Sequence, residues 1–196
     1  MIKTSLKRPA ALLLAAMLVL TAGCGTAGDT PASRDSAAVQ SSTAGMQNLG
    51  DLQHFSAPTL DGGSFDDAVL AQKDLTMINF WSTTCPPCIR ELPELEAVRA
   101  SAPENVQVIL VCLDAEQNSD AARQYLADAG YSGMVAAMGE GGMVDVVRRM
   151  QYTPTTLFFD ANGHAVGDAV VGAPKNAQET YAGLIKEQLK QVGQAS

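Results

Sequence analysis

Two continuous apolar runs stand out in the pattern of hydrophobic and polar positions. Leu75–Trp81 and Val106–Leu113 have the length of strands that are buried on both faces of a sheet. Apolar residues at helical spacing follow the first run, from Ile89 to about Ser101. Parallel strands joined by helices are typical of α/β proteins, so the pattern predicts that class.

The other elements follow from the same periodicities and from turn residues. Asp61-Gly62-Gly63 predicts a hairpin before the first run, and Asn162-Gly163 predicts a second tight turn. The remaining segments are predicted as a short helix Asp67–Gln72, a helix Asp120–Ala129, a short strand Met134–Met138, a helix Gly142–Met150, a strand Thr155–Asp160 with its hairpin partner Ala165–Val171, and a terminal helix Asn176–Val192. The order predicts a three-layer α/β/α sandwich with an N-terminal β-hairpin extension.

The start of the chain has a different pattern. Lys3, Lys7 and Arg8 precede the apolar run Ala10–Leu20, which is shorter than the ~20 residues of a membrane-spanning helix. Residues 1–23 are therefore predicted to be a secretory signal peptide. Residues 24–48 are mostly small or polar and cannot bury enough surface to fold, which predicts a flexible tether. Residues 49–196 have the length of one domain.

Ala22-Gly23-Cys24 resembles the processing site of a bacterial lipoprotein signal. The resemblance implies that Cys24 carries lipid, begins the mature chain and anchors it to the outer face of the cell membrane. Thr21 departs from the aliphatic residue that is usual there. The alternative is ordinary cleavage near Ala22, which would leave Cys24 as a free thiol.

The net charge of the chain limits the kinds of molecule that it can bind. It has 13 basic and 21 acidic residues. Without Lys3, Lys7 and Arg8 the balance is 10 against 21, a net charge of −11. Such a charge argues against binding to nucleic acid and against adhesion to anionic lipid.

The motif Cys85-Pro86-Pro87-Cys88 lies between a predicted strand and a predicted helix. The beginning of a helix offers unpaired N–H groups and the positive end of its dipole, and both favour a thiolate at Cys85. Cys88 is close enough in sequence to close a small disulfide ring. Pro86 and Pro87 suit a first helical turn, where a missing N–H costs little. The motif therefore predicts a redox-active dithiol.

Two other interpretations of the motif remain. A zinc site needs further Cys or His ligands, and Cys24, Cys112, His54 and His164 show no second paired spacing, so no metal is predicted. A static disulfide would close too small a loop to stabilise the fold much. Cys112 lies within an apolar run and is predicted to be buried. Both histidines are predicted to lie at the surface or in loops.

Three longer patterns resemble the thioredoxin superfamily. The resemblance is closest to its extracytoplasmic TlpA/ResA-like branch, which overlaps the alkyl-hydroperoxide-reductase/thiol-specific-antioxidant group. The patterns are Asn79-Phe80-Trp81 followed by the dithiol, Glu91-Leu92-Pro93-Glu94-Leu95, and Tyr152-Thr153-Pro154-Thr155-Thr156-Leu157-Phe158-Phe159-Asp160. The resemblance covers about Leu49–Leu189 and implies a thioredoxin-like fold.

The resemblance also implies roles for individual residues. Cys85 would attack, Cys88 would resolve the mixed disulfide, and the two would form the redox-active disulfide. The Thr153–Pro154 bond would be cis, in a loop that faces the dithiol, so that backbone groups beside Pro154 can pair with an extended substrate. The predicted substrate contacts are Trp81, Pro86, Pro87 and Thr153. An alternative for Trp81 is a plain core residue.

Glu91 is the predicted proton acceptor for Cys88, because it lies one helical turn further along. In the ResA-like branch a glutamate here lies near the active site. The alternative is a glutamate that is favoured only by the helix dipole. Asn79 occupies the position of the buried carboxylate of cytosolic thioredoxins. Ser82-Thr83-Thr84 lacks the second aromatic residue of the branch, which predicts a more polar rim around the dithiol.

The leading hypothesis is a membrane-anchored thiol-disulfide oxidoreductase that reduces disulfides of exported proteins and needs no cofactor. By resemblance, its clients would be apocytochrome c, a methionine sulfoxide reductase or other exported cysteine proteins, and a membrane thiol carrier would supply electrons. A thiol peroxidase is one alternative, for which Thr84 and Arg90 are available beside the thiols. A copper(I) chaperone that holds the metal on both cysteines is another.

Overall fold

A computed structural model describes residues 49–195 of the chain. The strands are β1 (Phe55–Pro58), β2 (Ser64–Asp66), β3 (Leu75–Trp81), β4 (Val106–Cys112), β5 (Val135–Ala137), β6 (Glu140–Gly141), β7 (Thr155–Asp160) and β8 (Val170–Val171). The helices are α1 (Asp67–Leu70), α2 (Pro86–Ser101), α3 (Ala115–Asp128), α4 (Gly142–Arg149) and α5 (Ala177–Ala195). The predicted signal peptide, the predicted tether and Cys24 lie outside the described residues.

A five-stranded sheet in the order β5-β4-β3-β7-β8 forms the middle layer. Strands β3, β4 and β5 are parallel, while β7 and β8 run antiparallel to their neighbours. All seven residues of β3 are buried, because β3 is the central strand and both faces of the sheet are covered. This explains why its sequence is an unbroken apolar run.

Successive side chains of the strands enter two separate cores, as the two-residue period of a strand requires. Met77 and Trp81 of β3 face a core that includes residues of α2, α3 and α5. Ile78 and Phe80 face the opposite core, which includes residues of β1, α1 and α4. The result is the predicted three-layer α/β/α sandwich.

A small second sheet, β2-β1-β6, contains the predicted N-terminal hairpin. Its third strand, β6, has two residues and was not predicted, because so short a segment leaves no periodicity in the sequence. Gly141 of β6 has φ +65°, and a Cβ there would lie 2.0 Å from the backbone oxygen of His54. Only glycine fits this close approach.

Helix α2 begins at Pro86, in line with the expectation that Pro86 and Pro87 occupy its first turn. Two other predicted boundaries were wrong. Helix α3 begins at Ala115 instead of Asp120, with a kink at Asn118 that obscures its first turn. The predicted strand Ala165–Val171 is reduced to β8 and one isolated bridge at Ala165, since Gly167 adopts φ +70° and interrupts it.

Candidate active site

The two cysteines of the motif are joined in a disulfide at the beginning of α2. The S–S distance is 2.07 Å and the Cα atoms are 5.3 Å apart. Cys85 is the N-cap of the helix, and its Sγ accepts a hydrogen bond from the backbone N–H of Cys88 at 3.3 Å. Cys85 is 9% exposed and Cys88 is 1% exposed. Cys85 is therefore the more exposed of the two cysteines.

The loop before β7 lies against this disulfide. The Thr153–Pro154 peptide bond is cis. The backbone oxygen of Thr153 is 3.5 Å from Cys85 Sγ. A disulfide sulfur has no proton to donate, so this is a close contact, and it would become a hydrogen bond if Cys85 were a thiol. Pairing of Phe80 with Thr155 brings the loop to the same end of the sheet as the dithiol.

A buried chain of polar side chains lies beneath the dithiol, next to α2. The hydroxyl of Tyr181 donates to Glu91 Oε1 at 2.5 Å. The hydroxyl of Thr156 donates to that of Tyr181 at 3.0 Å, and the amide of Asn79 donates to Thr156 at 2.9 Å. Glu91 is 3% exposed, and its second oxygen, Oε2, has no hydrogen-bond partner among residues 49–195.

Burial controls the titration of Glu91. Loss of solvent raises the pKa of Glu91 to about 7, although the hydrogen bond from Tyr181 and the nearby amide of Asn79 act in the opposite direction. A carboxyl group with such a pKa exists in both protonation states near neutral pH. It is therefore suited to exchange a proton with a neighbouring group.

A second network organises the loop that leads into Cys85. Asp114 lies just after β4 and accepts hydrogen bonds from the Thr83 N–H at 2.9 Å, the Thr83 hydroxyl at 2.5 Å and the Ser82 hydroxyl at 3.0 Å. Burial opposes ionisation of Asp114, but these bonds and one from Cys112 outweigh it and lower its pKa to about 2. The loop is thereby fixed by a carboxylate.

Cys112 is fully buried and free, as predicted. Burial, together with its hydrogen bond to Asp114 and the charge of that group, raises the pKa of Cys112 to about 12. A thiol with this pKa is almost entirely protonated at neutral pH, so Cys112 is not a reactive thiol.

The predicted substrate contacts are not all at the surface. Pro86 and Pro87 are exposed and Thr153 is half-buried. Trp81 is 0% exposed and belongs to the same core cluster as both cysteines. The prediction that Trp81 contacts substrate directly does not fit this burial, because a side chain packed among core residues does not reach the surface.

The segment before Cys85, Ser82-Thr83-Thr84, contains no aromatic residue. Ser82 and Thr83 are bonded to Asp114, and Thr84 is exposed. Tyr152, next to the cis-proline loop, is 65% exposed. The polar character of the rim stays a prediction.

Three residues of the two networks, namely Tyr181, Thr156 and Asp114, were not identified from the sequence. Tyr181 lies within the predicted terminal helix Asn176–Val192. Asp114 had a detectable signal, since it directly follows a parallel strand, and functional side chains gather at the carboxyl ends of such strands. No comparable signal marked Thr156.

A groove of about 560 Å³ runs beside the dithiol. It is lined by Pro87, Arg90, Glu91, Glu94, Thr153, Pro154 and the segment Gly172–Lys175. Among residues 49–195, no three His, Cys, Asp or Glu side chains are grouped so that they could hold a metal ion. No helix in this part of the chain is both long and apolar enough to cross a bilayer.

Comparison with known proteins identifies the family. A model of the Redoxin family matches residues 47–184. The thiol:disulfide interchange protein DsbE of Vibrio cholerae is 28% identical over 187 residues, which cover 93% of each chain. The thiol-disulfide oxidoreductase ResA of Halalkalibacterium halodurans is 26% identical over 133 residues, 68% of this chain and 74% of that protein.

A solved structure agrees with this assignment. A secreted disulfide oxidoreductase of Mycobacterium tuberculosis, described as homologous to E. coli DsbE, superimposes with a TM-score of 0.55 at 25% identity. The match covers 67% of this chain and 94% of that one. With its Cys85–Cys88 pair, the chain is a thiol-disulfide oxidoreductase of the thioredoxin superfamily and belongs to the Redoxin family.

Proposed function

We propose that this oxidoreductase works outside the cytosol, tethered to the membrane, and reduces disulfides of exported proteins through Cys85 and Cys88. The observation that carries the proposal is the difference in exposure between the two cysteines. Cys85 is 9% exposed and lies beside the cis-proline loop, while Cys88 is 1% exposed. This asymmetry suits one attacking sulfur and one resolving sulfur.

The exchange proceeds in two steps. The Cys85 thiolate attacks one sulfur of the client disulfide, forms a mixed disulfide and releases the other client sulfur as a thiolate. The Cys88 thiolate then attacks Cys85 Sγ, closes the Cys85–Cys88 disulfide and releases the second client thiolate. Two electrons pass from the dithiol to the client, and a membrane thiol carrier returns the oxidised protein to the dithiol.

The hydrogen bonding of Cys85 supports the reductive direction. A thiol-disulfide protein becomes a stronger oxidant as its thiolate is better stabilised. Cys85 Sγ receives one N–H, from Cys88, because Pro86 and Pro87 have none to donate. This is modest stabilisation for a sulfur at a helix N-terminus, and it favours a reductant.

Glu91 is the proton acceptor for Cys88 in this proposal. Cys88 must lose a proton before it can attack, and it is too buried to pass that proton directly to water. Glu91 lies one turn further along α2, its pKa is raised to about 7 by burial, and its Oε2 accepts no hydrogen bond from any residue that the structure describes. These features support a carboxylate that accepts the proton at neutral pH.

The cis-proline loop would hold the client chain. Thr153 lies next to Cys85, and the backbone beside Pro154 borders the groove. An extended client segment can pair with such backbone groups regardless of its sequence. By resemblance, the clients would be apocytochrome c, a methionine sulfoxide reductase or other exported cysteine proteins.

The proposed domain organisation follows from the sequence. Residues 1–23 are a signal peptide, residues 24–48 are a tether with lipid on Cys24, and residues 49–196 are the redox domain. Labelling of the full chain with radioactive palmitate in cells should mark the wild type and not Cys24→Ala. Equal labelling of both, or none in either, would contradict the anchor.

Trapping of mixed disulfides tests the redox function. Cys88→Ser should accumulate clients bound through Cys85, which mass spectrometry can identify, and the matched variant Cys85→Ser should accumulate none. The reduction potential of the protein, measured at equilibrium with glutathione, tests whether it acts as a reductant or as an oxidant. A value near the ~−270 mV of thioredoxin supports a reductant, and one near the ~−120 mV of DsbA would overturn that direction.

A further inference from the structure

Two basic side chains line the groove beside the dithiol. Arg90 on α2 and Lys175 before α5 are both exposed. Neither makes a hydrogen bond or an ion pair with another residue of the described 49–195 segment. The mature chain is strongly acidic, with 10 basic against 21 acidic residues, so free cations at this position call for an explanation.

The two acidic residues of the groove are less exposed than these cations. Glu91 is buried and bonded to Tyr181. Glu94 is half-buried, and its carboxylate accepts a hydrogen bond from the backbone N–H of Gln178 at 3.0 Å, in the first turn of α5. The groove therefore presents two exposed cations, Arg90 and Lys175, against one half-buried carboxylate.

The groove is placed to contact a client that is bonded to Cys85. Thr153 lines the groove, and its backbone oxygen lies 3.5 Å from Cys85 Sγ. A client cysteine in a mixed disulfide with Cys85 thus stands at the edge of the groove. The residues next to that cysteine must then pass along the groove or close to it.

We propose that Arg90 and Lys175 select client segments that carry an acidic side chain within a few residues of the reactive cysteine. The inference rests on the proposed function, since it names the kind of segment that the dithiol acts on. Two exposed ion pairs contribute modestly, so we expect a preference of about threefold to tenfold over a neutral segment.

The test uses three short peptides that are identical except for the residues beside a single cysteine, which are Glu, Gln or Lys. Each peptide is supplied as its symmetrical disulfide dimer, so the attacked sulfur always belongs to the peptide. The reduced protein is mixed with each dimer, and the second-order rate constant for reduction of the dimer is measured. This rate constant is divided by the one for reduction of the same dimer by dithiothreitol. This ratio removes the effect of neighbouring charges on the peptide thiol itself.

The expected order of normalised rates is Glu, then Gln, then Lys. The preference for Glu should largely disappear in about 1 M salt, where charges are screened within ~3 Å. It should also disappear in Arg90→Gln/Lys175→Gln. The matched control Arg148→Gln/Lys190→Gln removes the same charge from exposed positions outside the groove and should keep the preference.

Two results would overturn the inference. One is equal normalised rates for the Glu and Gln peptides with the wild-type protein. The other is a preference that survives in Arg90→Gln/Lys175→Gln. Reduction of a small neutral disulfide, 2-hydroxyethyl disulfide, is measured in parallel. If the wild type reduces it while showing no charge preference, the proposed function stands and only the selectivity of the groove is lost.

Discussion

The carboxylate of Asp114 accepts two hydrogen bonds from Thr83, one from its backbone N–H at 2.9 Å and one from its hydroxyl at 2.5 Å. Thr83 lies two residues before Cys85, and the N–H of Cys85 donates in turn to the Ser82 backbone oxygen at 3.2 Å. The end of β4 therefore fixes the approach of the chain to the attacking sulfur. Asp114 acts as a positioning residue.

Replacement of Asp114 should destabilise the protein. Asp114→Ala leaves the Thr83 donors without their acceptor, and charged hydrogen bonds of this kind contribute ~2 kcal/mol. Urea unfolding of the oxidised protein measures the loss. The exposed Asp120→Asn on α3 is a control that should change stability little.

The contribution of Asp114 to the stability of the folded protein also depends on pH. Its folded pKa, about 2, lies below the unfolded value of 3.8. The stabilisation is therefore present above about pH 4 and is lost as the pH falls through 2. Asp114→Asn should lack this acid-dependent loss. A variant that loses stability in acid as steeply as the wild type would contradict the assignment.

The contribution of Glu91 to the stability of the folded protein should depend on pH in the opposite sense. Its folded pKa, about 7, lies above the unfolded value of 4.5 because of burial. The folded state holds the proton more tightly, so the stabilisation is present below pH 4.5 and is lost as the pH rises through 7. The difference between pH 4.5 and pH 8 is on the order of 3 kcal/mol.

Unfolding of Glu91→Gln at the two pH values tests this sign. The variant should lose less stability than the wild type between pH 4.5 and pH 8, since glutamine does not ionise. The exposed Glu187→Gln on α5 should behave like the wild type. If Glu91→Gln and the wild type had parallel stability profiles, the carboxyl group would not titrate in this range.

Tyr181 should lower the pKa of the Glu91 carboxyl group that it contacts. Its hydroxyl donates to Glu91 at 2.5 Å and favours the ionised form. Tyr181→Phe removes the donor, so the pKa of Glu91 should rise further and the loss of stability should move to higher pH. A double-mutant cycle with Glu91→Gln provides the control, because the shift should vanish when residue 91 cannot ionise.

The local part of the site was predictable from the sequence. The apolar run of β3, the prolines at a helix start and the spacing of Cys85 and Cys88 are all short-range signals. The pair Glu91 and Tyr181 was not predictable, because 90 residues separate them and they meet only when α2 packs against α5. Likewise, β6 exists only because β1 is available as its partner.

Pro87 should limit how well the Cys85 thiolate is stabilised. An N-cap side chain can accept from the N–H groups of the second and third helical residues. Here the third, Cys88, donates to Cys85 Sγ, and the second, Pro87, cannot. Pro87→Ala supplies the missing donor. We expect the pKa of Cys85 to fall by roughly one unit and the reduction potential to rise by ~30 mV.

Alkylation of the reduced protein across a pH series measures the pKa of Cys85. Equilibration with glutathione measures the reduction potential. Pro93→Ala also restores a backbone N–H to α2, but further along the helix and away from the dithiol. It should leave both quantities unchanged, which separates the local hydrogen bond from a general change in the helix. A Pro87→Ala protein with the potential of the wild type would show that the missing N–H does not set the redox properties of Cys85.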